Sequence, residues 1–291
     1  MGRQLSAETI KRIQSVYGFK TKKSLGQNVL ADPGVISDIA DACRLTEDSL
    51  ALEIGPGLGV LTGELAERAG KVCAVEIDGA LIPILRDQLA VYDNVSIVNE
   101  DILAVDAAAL IEEQRTLPGG RRLSHAVIAG NLPYYITTPI IMGLIEAGVP
   151  ADLMVFMVQK EVADRMASGP GSKDYGVLSV SLQYFCEVKK ILDVPSEAFI
   201  PSPKVDSAVV QLVPKAEGRL RAGDEALMMR IVKAGFAQRR KTLINALSGG
   251  GFEKERALAA LEACGIDPSR RAETLSIEEF VNLSDRMSER I

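Results

Sequence analysis

Apolar and polar positions follow two different periods along this chain. The runs at 50–54, 71–77, 95–99, 126–130 and 153–158 are short and nearly continuous in apolar residues, as strands buried on both faces are. Between them, 60–68, 80–89 and 139–147 carry helical spacing. Strand–helix repetition at this interval predicts a mostly parallel sheet with helices on both faces. Segments 187–193 and 207–213 read as two further strands, separated by Pro/Ser-rich punctuation and no long helix. They predict an antiparallel hairpin that completes a seven-stranded sheet.

The pattern changes after Pro214. Residues 226–236, 242–247, 254–263 and 277–287 are helical in spacing, Ser276 with Glu279 fits a capping box, and Gly249, Gly250 and Gly251 punctuate the middle. The expected organisation is a Rossmann-like α/β domain over 1–214 and a smaller C-terminal all-α domain over 215–291. The Gly/Pro/Ser/Lys segment 168–173 reads as a mobile loop.

Composition narrows the chemistry. Of 291 residues, 47% are hydrophobic and 25% charged, the balance of a soluble globular protein. No apolar run approaches the roughly 18–20 residues that span a bilayer. The polar N-terminal stretch has no signal-peptide core, so a cytoplasmic protein is expected. Cys43, Cys73, Cys186 and Cys264 lie far apart and form no C-x-x-C pair, which fits buried thiols in a reducing compartment. The single histidine, His125, opens an apolar run and reads as a strand-edge residue. Zinc chemistry and a Ser-His-Asp triad are both poorly supplied, and no metal is expected.

A net charge of −6 argues against indiscriminate coating of nucleic acid. The charge is uneven, however: −8 over 1–214 and +2 over 215–291. Basic clusters at Lys20, Lys22 and Lys23, at Lys189 and Lys190, and at Arg239, Arg240 and Lys241 suit either a solvated surface or a local polyanion site.

Three features gather chemistry at strand ends. Gly55-Pro56-Gly57-Leu58-Gly59 closes one strand and opens a helix, so the backbone can turn tightly and a ligand can approach. Glu76 ends the next strand about 21 positions after Gly55, the offset of a ribose-binding carboxylate. Asp101 follows the third strand, where a carboxylate can accept from an adenine amino group. Together they outline a nucleoside site in the sheet crevice, which a nicotinamide dehydrogenase would also have. Asn131-Leu132-Pro133-Tyr134 ends the fourth strand and favours another chemistry. An aromatic amine is a poor nucleophile because its lone pair is delocalised into the ring. The Asn131 side-chain oxygen and the Leu132 carbonyl could accept both amine hydrogens and so favour a pyramidal nitrogen aimed at an activated methyl group. Pro133 restrains the backbone and Tyr134 offers a stacking face. Taken alone, the same four residues also suit a tight turn after a strand.

These residues, with Lys23-Ser24-Leu25-Gly26-Gln27-Asn28, the 53–59 loop, the segment 199–207 (Phe-Ile-Pro-Ser-Pro-Lys-Val-Asp-Ser) and 236–243 (Phe-Ala-Gln-Arg-Arg-Lys-Thr-Leu), resemble the small-subunit ribosomal RNA adenine N6-dimethyltransferases, the KsgA/RsmA family. The resemblance spans nearly the whole chain. It implies an S-adenosylmethionine-dependent enzyme that places two methyl groups on each of two adjacent adenines near the 3′ end of 16S ribosomal RNA and takes part in small-subunit biogenesis. By position, Asn28, Leu30, Gly55, Gly57, Glu76, Asp101 and Asn131 would contact the cofactor. Asn131, Leu132, Pro133 and Tyr134 would hold the target amine, and Phe199 would stack on the opposite face of the flipped base. Lys22, Lys23, Lys204, Arg239, Arg240 and Lys241 are the candidate RNA contacts. A monomer is expected, with no membrane partner. One departure is Val29, where the family usually has an aromatic; weaker cofactor binding is the expected consequence. The rival readings are a large-subunit RNA adenine methylase of the resistance type, against which 199–207 and 236–243 speak, and an assembly factor that acts mainly by binding.

Overall fold

The computed structural model describes residues 7–18, 28–215 and 220–289. In chain order the elements are α1 (Ala7–Tyr17), β1 (Val29–Leu30), α2 (Pro33–Ala42), β2 (Ser49–Ile54), α3 (Val60–Ala66), β3 (Lys71–Val75), α4 (Ile82–Gln88), β4 (Val95–Val98), α5 (Ala107–Gln114), β5 (His125–Asn131), α6 (Thr137–Glu146), β6 (Leu153–Gln159), α7 (Lys160–Ala167), α8 (Val177–Phe185), β7 (Cys186–Val194), β8 (Phe199–Ile200), β9 (Ser207–Pro214), α9 (Glu225–Ala237), α10 (Leu243–Gly249), α11 (Lys254–Ala263) and α12 (Ile277–Ser288).

Seven strands form one sheet in the order β4-β3-β2-β5-β6-β9-β7. β4, β3, β2, β5 and β6 run parallel, and β9 pairs antiparallel with β6. Burial explains which apolar runs were easy to recognise. Every residue of β2 is buried, so it reads as a mostly apolar run, broken only by Ser49 and Glu53, whereas β7 at the edge alternates buried and exposed positions. β9 sits between β6 and β7, so the last strand in sequence is inserted one place from the edge. The core on one side of the sheet joins Ile36 and Ile39 of α2, Leu61 and Leu65 of α3, and Ala51, Val127 and Val155 of the central strands.

Chain packing separates two compact units, Met1–Ala163 with Lys189–Pro214, and Asp164–Val188 with Lys215–Ile291. The single cut expected at Pro214 does not anticipate the excursion over 164–188. Its physical reason is two buried tyrosines. Tyr175 and Tyr184 lie in one apolar cluster with Ile231, Leu243 and Phe280, and the Tyr175 hydroxyl donates to the Leu275 carbonyl at 3.1 Å. The loop 168–173, expected to be mobile, is tied within this unit. Gly171 N donates to Glu273 O at 2.7 Å, and Gln183 Nε2 donates to Ser168 O at 2.8 Å. The expected capping box is present: Ser276 Oγ accepts from Glu279 N at 3.2 Å and Glu279 Oε2 accepts from Ser276 N at 2.8 Å. His125 stands exposed at the start of β5, as expected of a strand-edge residue.

Candidate active site

The carboxyl ends of the parallel strands open on a cavity of about 280 Å³. After β2 the chain turns through Gly55, Gly57 and Gly59 at φ of +70°, +58° and +81°, conformations costly for any residue with a Cβ. A Cβ on Gly55 or Gly57 would meet no protein atom within 4 Å, so the loop presents bare backbone to open space. Gly130 answers a different need. A Cβ there would lie 2.5 Å from the Ile54 carbonyl oxygen, so only glycine lets β5 pass the end of β2 this closely.

Glu76 follows β3 and is 5% exposed. Its Oε2 accepts from Gly57 N at 3.3 Å and its Oε1 from Asp78 N at 2.8 Å, which fixes the carboxylate against the glycine loop. Burial raises its pKa, and these two backbone donors oppose the rise. Asp101, beyond β4, accepts from Leu103 N through Oδ1 at 3.0 Å.

The loop after β5 is held at several points. Leu132 N donates to Met157 O on β6 at 3.1 Å. The Pro133 carbonyl accepts from Ile136 N at 3.1 Å and from Thr137 Oγ1 at 3.0 Å, while the Leu132 carbonyl has no such partner among the described residues. Asn131 Nδ2 lies 3.5 Å from the Asn28 carbonyl. That contact occupies the donor end of the amide and leaves Oδ1 as the acceptor end. Tyr134 is partly buried, and its hydroxyl lies 2.6 Å from Ser207 Oγ.

Asn28, Leu30, Gly55, Gly57, Glu76, Asp101, Asn131, Leu132, Pro133 and Tyr134 therefore all line one cavity. Val29 lines it too, and pairs with Ile200 in the two-stranded β1–β8 sheet. Phe199 is not brought there. It is 2% exposed, packed with Leu30, Ile36, Val194 and Val209, and absent from the cavity wall. Its neighbours Ala198 and Val194 are themselves buried, so the aromatic continues a core. Lys204 is exposed in the first unit, whereas Arg239, Arg240 and Lys241 are exposed in the second. Arg239 is already engaged, pairing with Glu273 at 3.7 Å and donating to the Lys173 carbonyl. Lys22 and Lys23 lie outside the described residues.

Two further residues of the cavity wall were not among the sequence candidates. Tyr135 is 56% exposed beside Tyr134 and lines the cavity. Glu53 is 1% exposed, and its Oε2 has no hydrogen-bond partner among the described residues. Burial pushes its carboxyl up to about 8; the Thr62 hydroxyl beside it opposes the rise, and the charge of Glu76 adds to it. An acid inside a wholly buried strand, directly before a glycine loop, was the signal available for it.

The model of the ribosomal RNA adenine dimethylase family matches residues 18–289. The chain belongs to that family. It is 47% identical over 281 residues to the ribosomal RNA small subunit methyltransferase A of Geobacillus thermodenitrificans, covering 95% of this chain and 94% of that protein. Among solved structures, a dimethyladenosine transferase from Plasmodium falciparum matches with a TM-score of 0.72 at 27% identity, covering 88% of this chain and 95% of that one. The 23S rRNA methyltransferase ErmE matches with a TM-score of 0.68 at 28% identity, covering 90% of this chain and 100% of that one. The Rossmann-like sheet of a ribosomal RNA methyltransferase, followed by a helical C-terminal region, is thus the fold of this family member.

Proposed function

We propose that this chain transfers methyl groups from S-adenosylmethionine to the N6 amines of two adjacent adenines near the 3′ end of small-subunit ribosomal RNA, during assembly of that subunit. The observation that carries the reading is the single cavity shared by the glycine loop, Glu76, Asp101 and the four residues from Asn131 to Tyr134. The residues fit the cofactor: bare backbone at Gly55 and Gly57 leaves room for it, and the orphaned buried oxygen of Glu53 suits a cationic ligand. In this reading Glu76 accepts from the ribose hydroxyls, Asp101 accepts from the cofactor's adenine amine, and Asn28 and Leu30 close the cavity from the β1 side.

S-adenosylmethionine supplies an electrophilic methyl carbon on a sulfonium. Asn131 Oδ1 and the Leu132 carbonyl accept the two hydrogens of the target amine, which favours the pyramidal nitrogen whose lone pair attacks. With the cofactor bound, that lone pair would form the N–C bond as the methyl group left sulfur, the S–C electron pair would stay on sulfur, and the amine would give one proton to water. Tyr134 supplies a wall against the base. The catalytic contribution is orientation of the amine and acceptance of its developing charge. Phe199 is given no stacking role in this proposal, since its ring is 2% exposed and lies outside the cavity wall.

Lys204, Arg240 and Lys241 are exposed and suited to phosphate contacts, which position RNA without reading its sequence. No helix among the described residues is long and apolar enough to cross a membrane. A monomer working in the cytoplasm belongs to the same proposal. Methylation of separate, unmethylated small and large subunits with labelled cofactor tests it. Label confined to adjacent adenines of the small-subunit RNA is expected; label in the large subunit supports the resistance-type alternative and overturns the proposal.

A further inference from the structure

Two sequence signatures that lie far apart in the chain meet in one hydrogen bond. Tyr134 follows β5, and Ser207 opens β9, with β6 between the two strands. Ser207 faces Gln159 across the β6–β9 ladder and is fully buried at 0% exposure. Its Oγ lies 2.6 Å from the Tyr134 hydroxyl, a short and well-formed O–H···O contact. A phenol whose ring lines a cavity needs such a partner for its polar end. At its other end the tyrosine is fixed by the backbone, since Leu132 N is bonded to Met157 O and the Pro133 carbonyl is bonded twice. The ring is therefore anchored at both ends.

We propose that Ser207 is a positioning residue for the second methyl transfer: its hydroxyl holds the Tyr134 ring as a fixed wall of the target slot. The inference rests on the site reading given above, in which Tyr134 borders the target base. Its chemistry follows from counting hydrogens on the amine. The unmodified amine offers two hydrogens, one each to Asn131 Oδ1 and the Leu132 carbonyl. After the first transfer it offers one, and it carries a methyl group that must be accommodated. The base then has fewer polar restraints, and the wall contributes a larger share of its alignment. Loosening the wall costs the second transfer more than the first. Each transfer is the balanced step already described, with one N–C bond formed, one S–C bond broken and one proton released to water.

The test compares the full-length wild type with Ser207→Ala, Ser207→Thr, Tyr134→Phe and the Ser207→Ala/Tyr134→Phe double variant on unmethylated small ribosomal subunits. Mass spectrometry of the released nucleosides gives the rates of mono- and dimethyladenosine formation, and calorimetry gives cofactor affinity. Ser207→Ala and Tyr134→Phe are each expected to slow the second transfer by about 3- to 10-fold, as loss of one hydrogen bond implies. Monomethyladenosine accumulates while cofactor affinity stays unchanged. The double variant is no slower than either single one, because both remove the same bond, and Ser207→Thr restores dimethylation. Tyr134→Phe keeps the ring and leaves no buried hydroxyl unpaired on the tyrosine, so it reports on the bond even where Ser207→Ala folds poorly. Equal slowing of both transfers, additive single effects, or a wild-type product ratio in both single variants overturns the inference. Failure of the site reading is separate: it shows as full dimethylation by Asn131→Ala, measured in the same assay.

Discussion

Replacing Glu53 by Gln exposes how dry the cavity wall is. The carboxyl is 1% exposed and is pushed up to about 8 from an ordinary value of 4.5, by burial chiefly, against the Thr62 hydroxyl and with a smaller push from Glu76. In the unfolded chain it returns to water and to that ordinary value. Below pH 4.5 both states hold the proton, and this group adds no pH dependence. Between 4.5 and about 8 the folded protein keeps a proton that the unfolded chain has released. Stability therefore falls as pH rises through this window, by about 1.4 kcal/mol for each pH unit. Above about 8 both states are ionised and the full cost is reached, on the order of 5 kcal/mol. Glutamine has no proton to release, so Glu53→Gln lacks this slope. Urea unfolding of both cofactor-free proteins at several pH values across the window gives the two curves. The variant is expected to gain steadily on the wild type toward the alkaline end. Parallel curves would refute the reasoning, because they mean that the carboxyl is hydrated and ionised in the folded protein. Saturating cofactor, with its positive charge near Glu53, is expected to flatten the wild-type slope.

Asn131→Ala removes one of the two acceptors for the target amine and is expected to lower methyl transfer by about 100-fold or more, while co-sedimentation with the small subunit persists; loss of both together would argue against separate catalytic and RNA contacts. Val29→Phe adds apolar surface at a position that lines the cavity. Burial of about 50 Å² more of the ligand-facing side chain corresponds to roughly 1 kcal/mol, so calorimetry is expected to show cofactor binding several-fold tighter. Gly130→Ala sets a Cβ 2.5 Å from the Ile54 carbonyl, and neither backbone can yield cheaply. A loss of about 1–3 kcal/mol in unfolding free energy is expected, and an unchanged urea midpoint would count against that close approach.

The strands most readily recognised in the sequence were those buried on both faces, because a central parallel strand writes its environment as an unbroken apolar run. β6 is of this kind over 153–158, and β2 is apolar but for Ser49 and Glu53. The helices α2 and α5, by contrast, depend on caps more than on long apolar spacing: Asp32 accepts from Gly34 N at 2.8 Å and Asp106 from Ala109 N at 2.9 Å. Such local signals do not stand out from ordinary surface acids. The cavity lining was legible where a residue sits at or just beyond a strand end, as Gly55, Glu76, Asp101 and Asn131 do, since topology carries all parallel strand ends to one edge.

By itself, then, the sequence determined the parallel core, the glycine turn and the acids at the strand ends, because each of these is a local property of a few neighbouring residues. Tertiary structure decided what depends on strand order and enclosure. The insertion of β9 beside β6 brings Ser207 to Tyr134 across 73 positions. The packing of Tyr175 and Tyr184 assigns 164–188 to the helical unit. Burial turns Phe199 into a core residue and lifts the Glu53 carboxyl. The physical reason is the same in each case: burial and hydrogen bonding between distant segments depend on which surfaces the completed fold brings together, and the local pattern of a segment does not contain that information.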